Sequence, residues 1–100
     1  MTKEQKAKCK QIFQHYDVHA QERQLIEECA ELIQALTKYE RKFETGRPAA
    51  EEKVNVMEEL ADVMIMCEQF AGSWFKEQPL NAMIDRKLER QMQRIRSEKK

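Results

Sequence analysis

Glycine and proline each occur only twice in these 100 residues, at Gly46, Gly72, Pro48 and Pro79. So few breakers argue against a strand-and-turn protein, whose tight turns depend on them. Long apolar runs are missing too. No stretch approaches the ~18 consecutive apolar residues of a membrane span, and the opening MTKEQKAKCK is too polar for a secretory signal. The expected location is the cytoplasm, with no membrane partner. Cysteine is scarce: there are three, an odd number, with no CxxC pair, which disfavours a disulfide framework or a zinc ribbon. Cys29 and Cys67 fall on apolar helical stripes and are expected as buried, reduced thiols. An excess of either charge is also lacking, since 18 basic residues balance 18 acidic ones. A nucleic-acid-binding domain would carry more positive charge than this.

What remains is 36% charged and 41% apolar, a composition that favours long helices in one domain spanning residues 1–100. The breakers divide the chain usefully. A short first helix runs over about Lys3 to Tyr16 and stops at Asp17-Val18. Thr45-Gly46-Arg47-Pro48 separates two long helical patterns, and Pro79 suits the first turn of a last helix. In the second segment Leu25, Cys29, Leu32, Leu36, Tyr39 and Phe43 step by four and three. Val56, Leu60, Val63, Cys67, Phe70 and Trp74 do the same in the third. The third segment also carries Met57, Ala61, Met64, Ile65 and Met66, so it is apolar around most of its circumference and must be covered on several sides. The expectation is an all-α chain: a long-helix hairpin with short N-terminal and basic C-terminal helices. It would form four-helix-bundle cores as a homodimer or homotetramer.

Charge is distributed unevenly along this frame. Between Glu22 and Asp62 eleven acids face six bases, while from Ala82 onward seven bases face three acids. Glu28 and Glu31 lie about 60° apart on one side of the second helix. Glu59 falls inside the apolar arc of the third, with Asp62 at its edge. A hairpin folded at Thr45–Pro48 sets Glu31 level with Glu59 and Glu28 level with Asp62, about 20–27 Å from the turn. Four carboxylates at that range repel unless a cation sits among them. All the ligands would be oxygen, which selects a hard divalent ion, Mg²⁺ or as a substitute Mn²⁺. A ferritin-type di-iron site would want a Glu-x-x-His pair, and neither His15 nor His19 has a Glu three residues before it.

Glu27-Glu28-x-x-Glu31 followed by Glu59-x-x-Asp62 resembles the EExxE…ExxD signature of the all-α, MazG-like nucleoside triphosphate pyrophosphohydrolases. The flanks QLIEECAELIQALTK, VMEELADVMIM and IDRKLERQMQRI are similar as well, so that the likeness covers roughly residues 19–96. The resemblance implies Mg²⁺-dependent hydrolysis of a nucleoside triphosphate to the monophosphate and pyrophosphate, with nucleotide-pool house-cleaning as a role. Glu28, Glu31, Glu59 and Asp62 would be metal ligands. Glu27 and Glu28 would be catalytic, Glu27 by orienting the attacking water or serving a second metal. Lys87, Arg90 and Arg94 share a face of the last helix, and the resemblance makes them phosphate contacts. Gln21, His15 and Trp74 are candidates for holding the base. With a single copy of the motif the expectation is not a tandem two-domain arrangement, and these 100 residues do not carry the added segments of the larger dUTPases. The competing expectation, a non-catalytic helical interaction module, would turn its acids toward water.

Overall fold

The computed structural model describes residues 1–75 and 77–99. Four helices follow in order: α1 (Lys3–His15), α2 (Val18–Glu44), α3 (Ala50–Ser73) and α4 (Glu77–Glu98). No strand occurs among the described residues. Each boundary has a local cause. Thr2 caps α1 by accepting from the Gln5 N–H, while the Gln5 side chain accepts from the Thr2 N–H. The Asp17 carboxylate accepts from the N–H groups of His19 and Ala20 and so starts α2.

The turn that matters most closes α2. Gly46 adopts φ +73°, a conformation costly for any residue with a Cβ. Its N–H donates to the Phe43 carbonyl, and the Arg47 N–H donates to Lys42. Together these bonds satisfy the last carbonyls of α2 and reverse the chain. Lys42 then reaches Glu52 on α3, 2.7 Å away, across the base of the hairpin.

α2 and α3 pack along each other, α1 lies on α3, and α4 touches α3 only slightly. The fully buried apolar set is small: Cys9, Ala35, Met66 and Phe70. Phe13 of α1 meets Phe70 edge-on at 5.3 Å and anchors the short helix to α3. The thiols differ from expectation. Cys9 is the buried one, Cys29 is half-buried and Cys67 is exposed. Cys67 stands on the seam of α3 near Cys29 of α2 but keeps its exposure to solvent.

Much apolar surface stays in solvent. Met57 is 63% exposed, and Val54, Leu60 and Met64 are exposed beside it. Along α4 the whole seam of Met83, Ile84, Leu88, Met92 and Ile95 is uncovered. The accessible surface is 8416 Å², whereas a folded monomer of this mass exposes about 6,000 Å². The radius of gyration is 17.0 Å, against about 13 Å for a compact 100-residue domain. No helix is long and apolar enough to cross a membrane among the described residues.

Candidate metal centre

α2 and α3 run antiparallel, so each step up one is matched by a step down the other. Glu28 and Glu31 on α2 meet Asp62 and Glu59 on α3, and one carboxylate oxygen from each lies within 4.8 Å of all the others. Across an octahedral Mg²⁺, ligand oxygens are separated by up to about 4.2 Å, and across Ca²⁺ by up to about 5 Å. The cluster therefore has the size of a one-ion site, and its all-oxygen donor set fits a hard divalent cation.

Glu31 and Asp62 are exposed, but burial separates the other two acids from a solvated face. Glu28 and Glu59 are half-buried, and each has one buried carboxylate oxygen without a hydrogen-bond partner, Oε2 in both. The other oxygen of Glu28 accepts from Gln24 Nε2 at 2.6 Å. Among the described residues no Lys, Arg or His pairs with any of the four; the ion pairs found are His19–Glu22, Lys42–Glu52 and Arg96–Glu89.

The electrostatic consequence is a stronger hold on protons at Glu31 and Glu28. A hydrogen bond with Glu59, together with the negative charge of Glu59, holds Glu31 above the usual carboxylate range. Asp62 and Glu27 add to the effect. Glu28 is raised first by desolvation and then by the charges of Asp62 and Glu31, against the opposing bond from Gln24. Two carboxylates pressed together keep a proton that a cation would displace. Raised carboxyl pKa values mean that the metal-free folded chain binds more protons than the unfolded chain between the ordinary glutamate value and neutrality. Their contribution to stability therefore grows as pH falls and is lost as pH rises through the raised pKa values. Melts in EDTA should show Glu31→Gln flattening this slope relative to wild type between about pH 7.5 and about pH 5. Identical slopes in the two proteins would contradict the assignment.

The remaining residues singled out by sequence fall into three places. Glu27 is exposed beside the cluster, near enough to act on Glu31. Lys87 and Arg90 line a shallow recess of about 380 Å³ on α4 with Met83 and with Arg86, a residue that sequence reasoning passed over. Arg94 is exposed further along, and among the described residues none of these bases pairs with the acids.

The base candidates divide. His15 is exposed and packs edge-on against Tyr16 at 4.7 Å. Trp74 lies on Phe70 and Phe75 but is 53% exposed. Gln21 alone of the three is buried. It lines a recess of about 420 Å³ with Gln24, Met66, Gln69, Ile12 and Tyr16. This recess adjoins the acids through Gln24, whose amide donates to Glu28.

Gln69 was missed by sequence reasoning. The signal was present as spacing: Gln21, Gln24, Glu28 and Glu31 step by three, four and three, as do Glu59, Asp62, Met66 and Gln69. The antiparallel register that pairs the acids extends to Gln24 with Met66 and Gln21 with Gln69. Comparison of the chain with protein-family models, with curated proteins and with solved structures returned no match. Fold and site define an all-α protein with a carboxylate cluster suited to a metal ion.

Proposed function

We propose that this chain is a Mg²⁺-dependent nucleoside triphosphate pyrophosphohydrolase of the MazG-like kind. The observation carrying the reading is the convergence of four carboxylate oxygens within 4.8 Å, with buried oxygens of Glu28 and Glu59 lacking any partner. Uncompensated buried acids are costly, and a cation that also binds phosphate explains why the chain keeps them. The EExxE…ExxD pattern of Glu27, Glu28, Glu31, Glu59 and Asp62 supports the same reading.

Mg²⁺ bound among Glu28, Glu31, Glu59 and Asp62 would neutralise phosphate charge and polarise the phosphoryl group. The chain's own residues supply the rest. Glu27, with Glu28 beside it, orients a water and takes its proton. The water oxygen bonds to the α-phosphorus, the bond from that phosphorus to the α–β bridging oxygen breaks, and pyrophosphate departs with the bridging oxygen. Phosphoryl transfer asks for this kind of positioning and charge stabilisation more than for covalent catalysis. Lys87, Arg90 and Arg94 are assigned to the phosphates, whose charge suits guanidinium and ammonium donors.

The functional unit in this proposal is a homodimer or homotetramer. The exposed face of α3, the uncovered seam of α4 and the excess surface all favour a second copy as partner. Removal of unwanted nucleotides from the cellular pool is the proposed role.

The test is pyrophosphate release from a panel of ribo- and deoxyribonucleoside triphosphates, with Mg²⁺ and with EDTA. Turnover of at least one member, abolished by EDTA, is expected. No turnover across the panel, combined with no Mg²⁺-dependent thermal shift, would overturn the proposal in favour of an interaction module.

A further inference from the structure

Gln21 and Gln69 are the two buried polar residues of the chain's described part, 6% and 2% exposed, and each leaves its Oε1 without a hydrogen-bond partner. A buried amide oxygen with no donor forfeits the hydrogen bonds that water would give it. The two residues line the same recess from opposite helices, and together they form a site still lacking its donors. Gln69 turns its Nε2 toward Met66 Sδ at 3.7 Å, which leaves the carbonyl as the free end. Met66 and Ile12 supply apolar walls, and the exposed ring of Tyr16 stands on the lining.

We infer that this recess is a nucleobase pocket in which the exocyclic amino group of a cytosine- or adenine-type base is held between Oε1 of Gln21 and Oε1 of Gln69. The inference rests on the triphosphate reading above and deepens it by naming the substrate class. An amino group carries two diverging N–H bonds, so one group can satisfy both oxygens. A carbonyl at the same ring position, as in uracil or hypoxanthine, would set a third oxygen against two others.

The placement agrees with a nucleotide lying along the groove between α2 and α3. Seven residues of α2 separate Glu28 from Gln21, about 10 Å of helix, which matches the reach of a nucleoside from its 5′-phosphate to the far edge of its base. The acid end takes the metal and phosphates, the amide end takes the base, and Gln24 bridges the two through its bond to Glu28.

In two substrate pairs the amino group is exchanged for a carbonyl while the adjacent ring nitrogen turns from acceptor to N–H donor: cytosine with uracil, and adenine with hypoxanthine. The experiment measures binding of dCMP, dUMP, dAMP and dIMP by calorimetry to wild type, Gln21→Leu and Gln69→Leu, alongside hydrolysis of the four triphosphates. Wild type should favour the amino member of at least one pair by about ten-fold or more, as expected of a site built to pair a ligand N–H. Both variants should lose that preference while binding Mn²⁺ as wild type does and melting no lower, because each removes an unpaired buried amide. Equal or tighter binding of the carbonyl members by wild type overturns the inference, as does a preference unchanged in both variants. Amino-selective binding with no hydrolysis of any triphosphate would keep the pocket and refute the pyrophosphohydrolase reading. Hydrolysis without amino selectivity would do the reverse.

Discussion

Glu59→Gln is expected to raise the melting temperature of the metal-free protein while removing its response to Mg²⁺ and cutting pyrophosphate release by about 10³-fold or more. The opposed signs follow from one atom. Oε2 of Glu59 is buried without a partner, and its carboxylate crowds Glu31. Glutamine keeps the shape and removes the charge, which relieves the repulsion in the empty site. A relief of roughly 1 kcal/mol would raise the melting temperature of a 100-residue domain by about 4–8 °C. In wild type the proposed ion would supply the missing compensation, and at 100 times its dissociation constant it would stabilise the fold by about 2.7 kcal/mol. The variant lacks one anionic ligand of four and forfeits most of that linkage. Parallel melts in Mg²⁺ and in EDTA read both effects. If wild type melts at the same temperature in the two buffers, the acids do not hold a metal, and the interaction-module reading takes over.

The hairpin and its acids were legible in the sequence because both depend on periodicity alone. Once Gly46 is accepted as the turn, counting residues away from it sets Glu31 level with Glu59 and Glu28 level with Asp62. The structure has those four together. Side-chain burial was less legible. Cys67 and Trp74 sit on the same stripe as Phe70, yet Phe70 alone is buried, because α1 crosses α3 there and delivers Phe13. A stripe tells which face is apolar; it does not tell how far along the helix a neighbour reaches. Gln69 escaped for the opposite reason. A lone glutamine near the end of an apolar helix reads as a solvated residue until the acid register is continued two further levels to find Gln21 opposite. The basic face of α4 was legible as a face, but its position relative to the acids depends on what covers the Met83–Ile95 seam, which local pattern does not encode.

Met57→Lys provides the strongest test of what covers α3. Met57 is 63% exposed in the isolated chain, and on the helical projection it lies about 160° from Glu59, on the face turned away from the carboxylates. Exchanging an exposed methionine for lysine in a monomer should change stability by no more than about 0.5 kcal/mol. In the proposed assembly the same exchange places a charge in the apolar contact on both copies, because a two-fold interface repeats every substitution. An unpaired charge there costs several kcal/mol per copy. The excess surface of about 2,400 Å² over a compact monomer is enough for an obligate interface between copies. α4 compounds the effect, since a 22-residue helix with its apolar seam uncovered has little to hold it beyond its own backbone bonds. Wild type is therefore expected to sediment at two or four times 12.0 kDa. Met57→Lys should sediment at the mass of one chain, melt lower by about 10 °C or more, and lose helical circular dichroism. A wild-type protein that sediments as a single chain at micromolar concentration, with Met57→Lys melting beside it, would remove self-association from the account. The apolar face of α3 would then belong to a different partner.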